Sequence, residues 1–199
     1  ARVPYGFKLS SVIQKTARGL GDAILHAEEL VGSEDFAVFL PDDLIFAKKP
    51  VIGRMMEVYR KHGKPVLAVE RVEKEKISSY GIIKPAAVGG RVHEVVDMVE
   101  KPALKDAFSD LGIVGRYILP PDIFGYIRKT NAGAIGEIQL TDALRMLMKE
   151  KGLLAYEFDG VRCDTGDKHE YMLAILRYAG MQKELTEKFK KEIKKVFKI

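Results

Sequence analysis

Helical and strand periods alternate along this chain, and that alternation limits the fold more than any other property of the sequence. Leu20, Ala23, Ile24, Ala27 and Leu30 recur at helical spacing, and the apolar run Phe36-Ala-Val-Phe-Leu40 follows as a buried strand. Met55, Met56, Val58 and Tyr59 repeat the helical pattern before His62-Gly63-Lys64, and Pro65–Val69 reads as the next buried strand. A helix feeding a strand, twice over, predicts βαβ units and a largely parallel α/β sheet. The middle departs from this rhythm: Tyr80–Lys84, the turn Gly89-Gly90 and Arg91–Glu100 read as a strand pair, so the sheet is mixed. Helices are expected after Pro120-Pro121, closing at Asn131-Ala-Gly133, and again along the stripe Leu140, Ala143, Leu144, Leu147, Met148. Leu153–Phe158 reads as the last strand. An acid- and glycine-rich loop, Cys163–Asp167, then leads to a helix from about Lys168 to Tyr178.

With 199 residues and 47% hydrophobic content, the chain can bury one sizeable core, and a single domain over 1–199 is expected. The net charge of +5 is mostly terminal: residues 182–199 hold seven lysines against three glutamates, which leaves the body nearly neutral. Leu185, Phe189, Ile193 and Val196 make that tail a basic amphipathic helix, whose lysines read as a solvated face rather than a nucleic-acid or membrane surface. No window resembles a membrane span, and a cytoplasmic protein with no nucleic-acid or membrane partner is expected. The lone Cys163 offers neither a disulfide nor a metal spacing, and Asp164 beside it disfavours a thiolate. Histidines 26, 62, 93 and 169 share no spacing and are assigned to packing or surface roles.

Phe36–Leu40 runs straight into Pro41-Asp42-Asp43, which puts carboxylates where an open α/β sheet meets its ligand. Hard oxygen ligands suit Mg²⁺, although Asp after a strand equally caps helices and shapes turns. Asp164 also follows a predicted strand, so Asp42 and Asp164 could share one Mg²⁺ with a triphosphate. Gln14 and the Gly19-Leu20-Gly21 string open a helix where backbone amides can approach a nucleotide; alone, the string reads as a turn before that helix. Glu100-Lys101 pairs an acceptor for sugar hydroxyls with a point charge for phosphate, with an exposed ion pair as the plainer reading. Gly81 marks either ligand access to the backbone or a bulge.

Seven strings in order carry a resemblance over nearly the whole chain. They are Gln14 with Gly19-Leu20-Gly21, Phe36-Ala-Val-Phe-Leu-Pro-Asp-Asp43, Tyr80-Gly81, Asp97-Met-Val-Glu-Lys-Pro102, Ile113-Val-Gly-Arg-Tyr-Ile118, Glu137-Ile-Gln-Leu-Thr-Asp-Ala143 and Asp164-Thr-Gly166. Together they resemble the bacterial UTP:glucose-1-phosphate uridylyltransferases, sugar-nucleotide pyrophosphorylases that make UDP-glucose. The resemblance implies a Rossmann-like three-layer α/β/α nucleotide-diphospho-sugar transferase fold with a mixed, mostly parallel sheet. It implies that Gln14 and Gly19 contact the uracil, that Asp42 and Asp164 hold Mg²⁺ against the nucleotide phosphates, and that Gly81 and Glu100 grip the glucose. Lys101 would neutralise the sugar phosphate as its oxygen attacks the α-phosphorus in line and pyrophosphate leaves. Such a transfer depends on positioning and charge rather than on a protein nucleophile. The Val114-Gly-Arg116 and Glu137–Thr141 strings are family marks with no direct chemical role implied.

One departure limits what carries over. The family's glycine-rich loop with a Gly-Thr-Arg string, and the Pro-Lys segment after it, have no counterpart in these 199 residues. The expectation is therefore impaired turnover and an exposed sheet edge covered by a second copy or a complementary chain. A non-catalytic module that binds UDP-glucose or a sugar phosphate, or that regulates a complete paralogue, is the alternative. A glycosyltransferase using Asp42-Asp43 as its metal pair is a third reading, against which Glu100-Lys101-Pro102 argues.

Overall fold

The structure is a computed structural model and describes residue 6 and residues 8–130, 136–182 and 186–198. The chain divides into two compact units, Ala1–Val38 with Ile52–Phe158, and Phe39–Val51 with Asp159–Ile199. The Asn131–Gly133 helix stop and Leu185 of the tail stripe lie outside the described residues.

The first unit opens with two short helices, α1 (Leu20–Leu25) and α2 (Glu28–Val31), and strand β1 (Phe36–Phe39). Strand β2 (Asp43–Phe46) belongs to the second unit. Next come α3 (Val51–His62), β3 (Val66–Arg71), β4 (Gly81–Gly89), β5 (Val92–Glu100), β6 (Leu111–Leu119), α4 (Ile123–Lys129), α5 (Leu140–Lys151) and β7 (Leu154–Glu157). Six strands form one sheet in the order β1-β6-β3-β7-β5-β4. Strand β3 runs parallel to β7, while the β3–β6, β4–β5, β4–β6 and β5–β7 pairs are antiparallel. The sheet is mixed as expected, but these pairings correct the expectation of a mostly parallel one. Strand β6 lies between β1 and β3, and the β4–β5 hairpin extends the other side.

Burial follows from these positions. Val66–Val69 of β3 are fully buried, the continuous apolar run of a strand covered on both faces. Strand β1 corrects the expectation of a buried strand: its residues alternate, with Phe36 and Val38 against the core and Phe39 52% exposed, because β1 ends the described sheet order. The Phe36 ring stacks on Phe124 of α4 with centroids 5.3 Å apart. Along α5 the predicted stripe is buried, and Leu144 and Leu147 pack with Leu67, Leu119, Phe124 and Ile127 in one cluster. Cutting either leucine to alanine in such a core costs about 3 kcal/mol.

The second unit is built on β2 and a further strand, β8 (Val161–Asp164), which pair antiparallel with Asp43 opposite Asp164 and Leu44 opposite Cys163. Strand β8 corrects two expectations, since β7 is not the last strand and 163–164 are not loop. Four residues broken by Arg162 and Asp164 give no apolar run, and cross-strand pairing with β2 decides their conformation. Helix α6 (Lys168–Met181) starts where the Asp167 side chain accepts the Glu170 amide at 2.9 Å, and α7 (Thr186–Phe197) is the basic tail helix. Phe189 and Ile193 of α7 are half-buried and Val196 is 73% exposed.

Candidate active site

In the second unit, the β2–β8 register brings two distant acids together. Asp42 directly precedes β2 and Asp164 ends β8; the Thr165 amide and hydroxyl donate to the Asp42 carbonyl at 2.8 and 3.0 Å. Both carboxylates face Gly166, where an added methyl would lie 3.1 Å from Asp164 Oδ1 and 3.9 Å from Asp42 Oδ2. The Gly166 amide donates to Asp164 Oδ1 at 3.0 Å. Asp43 plays a different part. Its buried carboxylate is ion-paired with Arg162 Nε, and Arg162 also reaches Asp164 Oδ2 at 3.2 Å. The Asp42-Asp43 metal pair of the third reading is therefore not what the fold builds, because Arg162 occupies Asp43. Asp42 and Asp164 instead present hard oxygen ligands side by side. Two carboxylates fit a Mg²⁺ that takes the rest of its shell from water and phosphate, and no group of three or more such ligands occurs among the described residues. Cys163 is buried beside them, in keeping with a packing role.

In the first unit, Gly81 stands opposite Glu100 across the β4–β5 ladder, and the nearest register irregularity falls later, after Lys84. The glycine is thus no bulge. A methyl there would sit 3.0 Å from Glu100 Oε2, 3.2 Å from Ile113 Cδ1 and 3.5 Å from Thr141 Oγ1. The Glu100 carboxylate fills the space a side chain would take, and the Thr141 hydroxyl donates to it. Thr141 is only 8% exposed at the start of α5, so its hydroxyl is held in place by packing. Next along the chain, Lys101 has φ +44°, in the left-handed region that costs a residue with a side chain on the order of 1 kcal/mol. Its amide donates to the Tyr80 carbonyl at 3.0 Å, which fixes the bend. Asp97, earlier on β5, is bound by the Met98 amide and by Arg145 of α5, and is structural. Burial works against its charge, but the amide and the guanidinium prevail and hold it below the ordinary carboxylate range.

The Gln14–Gly21 string is organised by two residues that its sequence did not single out. Gln14 Nε2 donates to Asp22 Oδ2 at 2.6 Å and to the Gly19 carbonyl at 3.3 Å, and Arg18 grips Asp22 Oδ1 at 2.9 Å. The Gln14 and Arg18 bonds outweigh burial and hold the Asp22 carboxyl below its usual range. Gly19 has φ +99°, and a methyl there would meet the Ile138 carbonyl at 2.8 Å, as would one on Gly21. The glycines give their close approach to the chain itself: Ile138 accepts from the Gly21 amide at 3.0 Å and donates to the Arg18 carbonyl at 2.8 Å.

The described residues thus place Gln14 with Gly19, Gly81 with Glu100, Lys101 just beyond them in the chain, and Asp42 with Asp164. Asp22, Thr141, Ile138 and Arg162 are the residues that sequence reasoning passed over. Glu-Ile-Gln-Leu-Thr was noticed as a string, and a polar threonine amid the apolar stripe of α5 was the one signal available for Thr141.

Residues 4–180 match the family described as nucleotidyl transferase. The chain belongs to that family. Among its relatives are UTP–glucose-1-phosphate uridylyltransferase 2 of Staphylococcus saprophyticus, 41% identical over 96% of this chain and 68% of the relative, and UTP–glucose-1-phosphate uridylyltransferase of Staphylococcus haemolyticus, 39% identical over 98% and 69%. A UDP-glucose pyrophosphorylase solved with UDP-glucose superposes with a TM-score of 0.83 at 44% identity, over 87% of this chain and 66% of that one. A UTP-bound enzyme of the same name from Acinetobacter baumannii gives 0.85 at 35% identity, over 96% and 67%. The chain spans about two thirds of the length of these relatives.

Proposed function

We propose that this chain carries the site of a nucleotidyltransferase that makes UDP-glucose and pyrophosphate from UTP and glucose-1-phosphate with Mg²⁺. The observation that supports this reading is the β2–β8 pairing, after which the Asp42 and Asp164 carboxylates both lie near Gly166. The names of the relatives supply the substrates. In the reaction, a phosphate oxygen of glucose-1-phosphate forms a bond to the α-phosphorus of UTP, and the bond from that phosphorus to the β-phosphate oxygen breaks to release pyrophosphate. Asp42 and Asp164 would hold Mg²⁺, which when bound neutralises charge on the nucleotide phosphates. Glu100, oriented by Thr141, accepts from glucose hydroxyls, and Gly81, having no side chain, leaves the space that this carboxylate occupies and meets the sugar through its backbone. Lys101 would offer its ammonium to the sugar phosphate from the backbone bend that follows Glu100. Gln14 and Gly19 meet the uracil.

The test is UDP-glucose formation by this chain from UTP, glucose-1-phosphate and Mg²⁺, paired with Asp42→Ala, alongside UDP-glucose binding measured by calorimetry. Formation that disappears in Asp42→Ala supports the reading. Binding without formation selects the alternative, a module that holds UDP-glucose or a sugar phosphate without turnover, or that serves as the regulatory subunit of a complete paralogue. Neither binding nor formation removes both. Self-association belongs to the same proposal: α6 leaves Tyr171, Met172, Tyr178 and Met181 half or more exposed, apolar surface that a second copy or a complementary chain would cover. Sedimentation at rising concentration should show a larger species, and a constant monomer removes the self-pairing form of that idea.

A further inference from the structure

Gln14 has two amide hydrogens, and the fold uses both. One goes to Asp22 Oδ2 at 2.6 Å and the other lies toward the Gly19 carbonyl at 3.3 Å. The direction of that amide is set by Asp22. The Asp22 side chain is 2% exposed, its carboxylate is paired with Arg18 at 2.9 Å, and the Gln14 and Arg18 bonds favour its ionised form. An ionised carboxylate accepts hydrogen bonds and donates none. Turning the Gln14 amide over would set its one oxygen against both that carboxylate and the Gly19 carbonyl, two repulsive contacts at a part-buried site. Gln14 therefore has only its Oε1 to offer a ligand, and Oε1 is an acceptor.

We infer that Asp22 is a positioning residue that makes Gln14 an acceptor-only reader of the nucleobase, so that the site takes pyrimidines carrying a hydrogen on N3 and rejects cytosine. Uracil and thymine have that hydrogen; cytosine has a lone pair there, which would face Oε1. The inference rests on the proposed reading that Gln14 meets the base. It adds to that reading the residue that sets the choice, and it predicts that the choice lies against cytosine rather than between uracil and thymine.

The experiment compares UTP and CTP binding to the full chain, the parent beside Asp22→Asn, Gln14→Ala and Arg18→Gln, with circular dichroism as the check on folding. Asparagine has the shape of aspartate but can donate as well as accept, which frees the Gln14 amide to turn over. The UTP preference should fall by about tenfold or more in Asp22→Asn, chiefly through tighter CTP binding, and should be lost in Gln14→Ala. Arg18→Gln leaves the carboxylate an acceptor and should keep the preference, whereas a merely structural Asp22 would make the two variants behave alike. If Asp22→Asn does not fold, Asp22→Ser, which also can donate and accept, makes the same comparison. A preference lost in Gln14→Ala but intact in Asp22→Asn overturns the inference and leaves the base-reading role of Gln14 standing. A preference intact in Gln14→Ala, or absent from the parent chain, overturns both.

Discussion

Thr141 shows how much one hydroxyl can carry. It is buried, it donates to Glu100, and it lies 41 positions from its partner in the chain. Thr141→Val keeps the shape and removes the donor, leaving the Glu100 carboxylate with one fewer bond to fix its direction. A hydrogen bond to a charged group contributes about 1.5 kcal/mol to stability, so the melting temperature should fall by about 5 °C, and on the proposed reading UDP-glucose should bind more weakly because Glu100 is no longer held in direction. Calorimetric titration decides it, and equal affinity in the variant would remove Thr141 from the site. At this scale the sequence offered candidates where one residue type at one place implies a chemistry: an aspartate after a strand, a glutamate and lysine at the end of another. It was not legible where a residue works through a partner that no regular spacing relates to it. Asp22 reads in sequence as an ordinary acid in a first helical turn, and Arg162 as one more surface charge. What makes Arg162 matter is Asp43, 119 positions away, and what makes Asp22 matter is Gln14, eight positions back and outside any helix.

Among the elements, β2 and β8 were missed and α5 was read correctly, for one physical reason. Helix α5 is long and periodic, so its apolar stripe alone identifies it. Strands β2 and β8 have four residues each and exist because they pair with each other across more than a hundred positions. Their weakness makes a prediction. Arg162, its side chain 10% exposed, is the cation between Asp43 and Asp164, and Arg162→Met takes that cation away from the buried Asp43 carboxylate, at a cost of about 3 kcal/mol. Cys163 lies next to it and is the only cysteine. Its reaction with a thiol reagent should be slow in the parent and much faster in Arg162→Met; equal rates would mean the ion pair does not hold β8. A second prediction concerns α3. The Tyr59 hydroxyl donates to Asp35, and burial first, then that bond, push Tyr59 up to about 12. The folded chain keeps this proton above the ordinary tyrosine value of about 10, so the stabilisation is whole below that pH and is lost between about 10 and about 12. Denaturation midpoints should therefore fall more steeply over that window in the parent than in Tyr59→Phe, and parallel curves would contradict the assignment.

For the whole molecule, protection from hydrogen exchange should follow burial. Strand β3 is fully covered from Val66 to Val69 and pairs on both sides, so its amides should exchange slowest. Helix α7 keeps Phe189 and Ile193 only half-buried and leaves Val196 exposed, so it should be the fastest of the long helices. The reverse order would mean that the tail helix is held by more than the described residues show. The fold class was legible at this scale because alternating periods survive any detail of pairing. The strand order was not, since nothing local in Leu111–Leu119 tells it to enter between β1 and β3.

The two backbone bonds at Ile138 tie the Gly19-Leu20-Gly21 turn to the segment that runs, three residues later, into Thr141. On the proposed assignments, that short stretch steadies the base reader at one end and the sugar reader at the other. Natural variation should therefore find it hard to retune one preference alone: a lineage that alters 137–141 to accept a new sugar would disturb its choice of nucleotide in the same step. Changes of sugar and of base would then be inherited together, as one trait.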